Sequence, residues 1–185
     1  MKLKKFNFKK VNNTNNLAIN IIKNSNYKAG IILAQIQKNG RGQYGKKWIS
    51  YKGNLFTSIF FSIDKINLSL HQLTKINCYI VKKILSNFYK GKITIKKPND
   101  LLINKKKISG ILQETVSKSG EKFIIIGIGI NLIKSPKIKK YPTTNLLEIT
   151  GIKVDYQRIT SLLRDVYEKF IPLSQNFNIK QLDKI

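Results

Sequence analysis

A single cysteine, Cys78, occurs in the 185 residues, so an internal disulfide is excluded. The expectation is a reducing cytoplasm, with Cys78 a small core residue on a helix rather than a nucleophile. No apolar run approaches the ~18 residues that a membrane-crossing helix needs. The start, MKLKKFNFKKVNN, has charge but no apolar h-region and no small-residue cleavage site, so no signal peptide is expected. Internal repeats and linker-like stretches are missing too. The length suits one domain spanning 1–185, large enough to hide roughly 70% of its unfolded surface. Arginine is scarce: Arg41, Arg158 and Arg164 stand against 32 lysines, and nine acids leave a net charge of +26.

Such a charge invites a nucleic-acid reading. The lysines are spread along the chain, however, and come with 19 asparagines and 31 isoleucines. AT-rich codons encode all three residues, so a drift in genome composition covers them together. Solvated lysine faces are the plainer reading. The field still attracts acidic partners and binds polyanions weakly at low salt.

Leu17, Ile21 and Ile22 fall at helical spacing within 14–25, after polar capping candidates. AGIILAQIQ (29–37) and NLFTSIFFSI (54–63) read as buried strands. A long amphipathic helix is expected over 69–90, with Gly91 as its stop. Strands follow at 92–96, 100–104, 107–116 and 122–132, and tight links (NKKK, SKSGE) make neighbours antiparallel. A short helix over 143–151 and a longer one over 155–171 close the pattern. The sum is an α+β fold: a mixed, largely antiparallel sheet with helices packed on it.

Three stretches could carry chemistry. In NGRGQYGKKW (39–48), glycines let the backbone approach a ligand, and successive amides can form an anion site. Arg41 adds a planar, permanently charged fork suited to a phosphate or carboxylate, where lysine offers a point charge. An ordinary surface loop with one chance arginine is the plain alternative. In KKPNDLLINKKKISGILQE (96–114), Asp100 opens one strand and Lys107 the next, so the two can approach across a hairpin. A carboxylate near an ammonium favours both charged forms, and an amine so held could stabilise charge on a phosphoryl group. Lys105 and Lys106 read as a solvated hairpin tip. In IIIGIGINL (124–132), Gly127 and Gly129 face one side, where a flat ligand or alkyl chain could lie. Packing under a helix is the alternative. Asn131 shares that parity and could offer its amide to a base edge or ureido group.

In their order and spacing these stretches resemble the catalytic domain of biotin–protein ligases. GRGQYGKKW (40–48) is similar to that family's GRG loop with its lysine–tryptophan end. KPNDL (97–101), KISGILQE (107–114) and GIGIN (127–131) are similar to its next three motifs. NNTNN (12–16) and PTTNLLE (142–148) match an early Ser-Thr-Asn and a late segment. The resemblance covers about residues 12–175. It implies a fold like class II aminoacyl-tRNA synthetases and two steps. Biotin's carboxylate attacks the α-phosphate of Mg·ATP, giving biotinyl-AMP and pyrophosphate. A lysine of a biotin carboxyl carrier protein domain then attacks the mixed anhydride. Arg41, Lys107 and Asp100 are the implied catalytic residues, with Lys107 bridging carboxylate and phosphate. Asp100 would orient Lys107 or accept a proton. Asn13, Thr14 and Gln37 would bind the ureido ring, and Gly40, Arg41 and Gly42 the folding loop. Gly110, Leu112, Gly127 and Gly129 would wall the bicyclic ring and valeryl chain. Gln43, Lys46, Trp48, Asn99 and Asn131 would face ATP or the adenylate. ATP and biotin are the implied small molecules. Magnesium would arrive on ATP, with no direct protein ligand.

Three positions depart from the pattern. Gln43 replaces the loop's usual second arginine, Lys97 the tryptophan before Pro-Asn-Asp, and Asn13 the serine before Thr14. The family's C-terminal SH3-like barrel and N-terminal helix-turn-helix domain are expected to be absent, so DNA is not an expected partner; nor, without a long apolar run, is a membrane. Monomer and homodimer both stay open. A lipoate or octanoyl ligase or transferase shares the architecture but carries an R-R-x-x-G-G-G loop, which is missing here. A degenerate ligase fold holding RNA or an acidic partner is the non-enzymatic alternative.

Overall fold

A computed structural model describes residues 1–177, so the last eight residues of the expected domain lie outside the described part. The elements are β1 (Lys4–Val11), α1 (Thr14–Asn24), β2 (Ala29–Gln37), β3 (Leu55–Ser62), α2 (Leu70–Leu85), β4 (Ile93–Lys96), β5 (Asp100–Ile103), β6 (Lys106–Lys118), β7 (Glu121–Ile130), α3 (Leu146–Thr150) and α4 (Tyr156–Leu173). The strands form one sheet in the order β1-β2-β3-β7-β6-β5-β4. β1 and β2 run parallel, and the other neighbours antiparallel.

Strand alternation decides what lies on each face. On β7, Ile124, Ile126, Ile128 and Ile130 enter the main core with Leu73, Ile80 and Ile84 of α2 and Ile159, Leu163 and Phe170 of α4. Burying each such side chain stabilises the fold by about 1.5–3 kcal/mol. Asn77 of α2, fully buried, accepts a hydrogen bond from Tyr167 of α4 at 2.9 Å and donates one to Gln113 of β6 at 2.9 Å. Burial pushes the Tyr167 phenol far above its ordinary pKa. The opposite face of β7 begins with Phe123 and Ile125, packed with Ala18 and Ile22 of α1. It continues with Gly127, which lies under Asn15 at the N-terminal end of α1, and Gly129 beyond that end. Helices therefore cover both faces, and the uncovered part of the α1 face is floored by glycine.

β1 was not expected. Its lysines hide the alternation, and only Phe6 and Phe8 mark one half-buried side. Lysine suits an edge strand because it deters pairing with other chains. α2 is shorter than the periodicity suggests. It ends at Leu85, and Phe88 and Tyr89 reach the core from the turns that follow. Ser86, not Gly91, closes it. The late short helix spans only five residues, capped by the Asn145 side chain on the Glu148 amide and by Gly151 at φ 68°.

Candidate active site

The glycine floor opens into a cavity of about 240 Å³. Its walls are the N-terminus of α1, the end of β2, the 40–48 loop, the β4–β5 turn and the middles of β6 and β7. All the residues predicted for the site line it except Gly40 and Asn131. Gly40 is buried behind the loop. A Cβ there would lie 2.5 Å from the Trp48 carbonyl oxygen, which explains why this position has no side chain.

Lys107 and Asp100 do meet. The ammonium lies 2.7 Å from Asp100 Oδ1, with the two side chains 15% and 23% exposed. The simple register would not bring them together, because Asp100 pairs with Gly110. Between Leu101 and Leu102 the register slips by one residue, so Ile108 is an extra residue in β6. Such a bulge re-aims a side chain. It turns Lys107 to the Gly110 side, and a Cβ on Gly110 would lie 3.3 Å from Lys107 Nζ. The segment after β7 fixes the bulge. The Lys107 amide donates to the Pro142 carbonyl at 2.9 Å, and Thr144 donates to the Lys107 carbonyl at 3.0 Å. Trp48 and Tyr141 each place a ring 5.4 Å from the ammonium, close enough for cation–π attraction. Burial first, then the Asp100 charge, pushes the Tyr141 phenol up. Under this corner Cys78 is buried against the Pro98 carbonyl. Burial, with the Asp100 charge second, raises its thiol to about 12.

The loop is a small hairpin. Gly42 donates to the Lys46 carbonyl at 2.6 Å and Trp48 to the Gly40 carbonyl at 2.9 Å. Its indole lies over Gly110 and Gly129, positions where a Cβ would collide with the ring. The flat group expected on the glycines is thus, in this structure, the protein's own tryptophan. Arg41 also lines the cavity, and its guanidinium is engaged by groups of the protein. Nη2 donates to Glu114 Oε2 at 2.8 Å and to Asn16 Oδ1 at 2.8 Å. One guanidinium nitrogen has found a carboxylate of the protein itself.

The other predicted residues are largely committed to holding the walls. Gln37 Oε1 accepts from the Thr14 amide at 2.8 Å and from its hydroxyl at 3.2 Å. Asn13 caps α1 by accepting from the Asn16 amide at 2.8 Å. Asn99 donates to the Ile111 carbonyl at 2.6 Å, binding the β4–β5 turn to β6. Asn131, 2% exposed, donates to the Thr144 carbonyl at 3.1 Å. Its Oδ1 and the Trp48 Nε1 are buried with no partner. Both residues border a second cavity of about 20 Å³ beside Lys107, room for about one water.

A family model described as "Biotin/lipoate A/B protein ligase family" matches residues 6–131. The chain belongs to this family. The bifunctional ligase/repressor BirA of Escherichia coli is 31% identical over 137 residues, 71% of this chain and 42% of that protein. The biotin--[acetyl-CoA-carboxylase] ligase of Paracoccus denitrificans is 28% identical over 147 residues, 75% of this chain and 61% of that one. The biotin protein ligase of Aquifex aeolicus, solved with biotin and ATP, superposes with a TM-score of 0.82 at 27% identity, covering 96% of this chain and 74% of the other. The chain thus spans about half the length of the curated relatives it matches. The expected α+β architecture, like that of class II synthetases, holds for this ligase-family chain. No helix among the described residues is long and apolar enough to cross a membrane.

Sequence reasoning missed Asn15, Tyr141, Lys96 and Lys97, which line the cavity, and assigned no role to Glu114. Glu114 had a signal: it shares the parity of Gly110 and Leu112, so on β6 it faces the ligand side. Tyr141 had none, because only the return of 142–144 to β6 brings it to Lys107. Among the described residues the cavity lining holds one carboxylate, Asp100, against six cations: Arg41, Lys46, Lys47, Lys96, Lys97 and Lys107. An anionic ligand is what this balance favours.

Proposed function

We propose that this chain activates biotin with ATP and transfers it to a lysine of a biotin carboxyl carrier domain, acting in the cytoplasm. One observation carries the reading: a largely buried ammonium, Lys107, held by Asp100 at 2.7 Å beside a glycine floor, in a cavity dominated by positive charge. The ligands named for the Aquifex aeolicus structure, biotin and ATP, support it.

In the first step a biotin carboxylate oxygen attacks the α-phosphorus. The bond from that phosphorus to the bridging oxygen breaks, and pyrophosphate leaves with the electron pair. Negative charge grows on the phosphoryl oxygens, and Lys107 is the fixed cation that meets it without reorganising. In the second step a carrier lysine, as the free amine, attacks the acyl carbon. The acyl C–O bond breaks, AMP leaves, and the amine proton departs through Asp100 or solvent. Thr14 and Gln37, already oriented against each other, face the ureido ring with Asn13. Gly110, Leu112, Gly127 and Gly129 wall the rest of biotin. Gln43, Lys46 and Asn99 face the nucleotide. The unpaired Trp48 Nε1 donor and Asn131 Oδ1 acceptor match the acceptor and donor edge of a purine, once the lining segments yield space. Asp100, the one lining carboxylate among the described residues, is already paired with Lys107. Magnesium would therefore be carried by the phosphates of ATP, where it would offset their charge.

The test is isotope exchange between pyrophosphate and ATP, with biotin or lipoate supplied in turn. Biotin-dependent exchange, followed by a biotin adduct on a carrier domain in mass spectrometry, is the expected result. Exchange with lipoate alone rejects the assignment.

A further inference from the structure

We propose that Glu114 is a positioning residue: through Arg41 it latches the 40–48 loop over the cavity and so sets how slowly biotin leaves. The inference deepens the biotin-activating reading and rests on it for the identity of the ligand.

The two ends of the latch differ in how firmly they are held. Glu114 is fixed from below. Asn15, buried in α1, donates to Glu114 Oε2 at 2.7 Å and to the Leu112 carbonyl at 3.2 Å. Ser58 of β3 in turn donates to Asn15 Oδ1 at 2.6 Å. Gly127 makes room for Asn15, since a Cβ there would collide with the carboxamide. The carboxylate is thus pinned by α1, β3 and β6 together. Arg41 belongs to the loop. Its Nη2 reaches both Glu114 oxygens, at 2.9 and 2.8 Å, and Asn16 Oδ1 at 2.8 Å. With the Arg41–Lys47 bridge and the two backbone bonds inside it, the loop is a stiff flap. Residues 38 and 39, its root, are tied to the carbonyls of Val11 and Asn12. No other side chain of residues 40–47 forms an ion pair with the sheet among the described residues. One guanidinium nitrogen, Nη2, thus ties the loop to a carboxylate on β6 and to Asn16 on α1.

Trp48, the only tryptophan, lies under the flap and reports on it without any ligand. The experiment compares Glu114→Gln, Arg41→Glu and the charge-reversed pair Arg41→Glu/Glu114→Arg with the parent protein. Two quantities are read: acrylamide quenching of Trp48, and the rate of biotin dissociation. The expected result for Glu114→Gln is stronger quenching and release faster by about tenfold, equivalent to about 1.4 kcal/mol. The biotin KM should rise more than kcat falls, because Glu114 touches no reacting atom. The reversed pair should recover slow release, which Arg41→Glu alone does not. A merely structural loss would lower thermal stability and leave the reversed pair no better than either single variant. Unchanged quenching and unchanged release in Glu114→Gln overturn the latch. If the parent protein binds no biotin, the ligand assignment fails, and the quenching comparison still decides whether the flap is latched.

Discussion

Two cations face the same cavity and are held in opposite ways. Lys107 sits on a strand, turned inward by a bulge, with its backbone bonded to 142–144 and its ammonium enclosed by Asp100, Trp48 and Tyr141. Arg41 sits on a loop, 40% exposed, and one carboxylate on the sheet ties it down. A group that must meet developing charge gains from being fixed before the reaction. A group that admits and retains a ligand must be able to let go. The difference between strand and loop is therefore a division of labour between chemistry and retention.

The largest test of that division is Lys107→Ala. Adenylation, followed by pyrophosphate exchange, should fall about 10²–10³-fold, as for loss of a preorganised electrostatic group. A comparable fall in Arg41→Ala, with biotin release unchanged, would break the comparison. Next is Gly129→Ala. Its Cβ would meet the Trp48 indole, and displacing it should cost about 1–3 kcal/mol, as overpacking typically does, seen as a lower melting temperature and altered Trp48 emission. The rigidity of the Lys107 corner can be sharpened through pH. Cys78, beneath it, has its thiol raised from 9.0 to about 12, chiefly by burial. Tyr167, also raised, lies deeper. Both groups keep their protons longer in the folded than in the unfolded chain. Stability is thus fully present below about pH 9 and falls as pH rises above it, by up to about 1.4 kcal/mol per pH unit for each group. Thermal melts from pH 8 to 10.5 should show the decline, weaker in Cys78→Ala. The smallest effect concerns reactivity: at pH 8 Cys78 should resist alkylation in the native protein while Trp48 is quenched by acrylamide. Prompt labelling would mean that the sheet corner opens as readily as the loop.

Most of the architecture was legible because it follows from local periods. Ile126, Ile128 and Ile130 alternate with Gly127 and Gly129, so the sequence alone separates an apolar face of β7 from one that another group can approach closely. Helix α4 and its apolar face are legible in the same way. β1 was not legible, because its lysines are chosen for an edge that must not pair, and they mask its alternation. In the site, the glycines, Lys107 and Asp100 stood out by type and spacing. Asn15 did not, and Glu114 showed its face by parity but not its partner, since both matter through groups far along the chain.

By itself the sequence determined which residues could be brought together: apolar periodicity set the faces, glycine set where the backbone could be approached, and motif order set the family. Tertiary structure alone decided which charges met. Strand parity opposes Asp100 to Gly110, and only the Ile108 bulge, fixed by the returning 142–144 segment, delivers Lys107 to that carboxylate. Likewise only the packing of α1 against β7 stands Asn15 behind Glu114 and gives Arg41 its anchor. Periodicity is a property of neighbours in the chain, whereas register and ion pairing depend on groups many residues apart, and so neither could be read along one line.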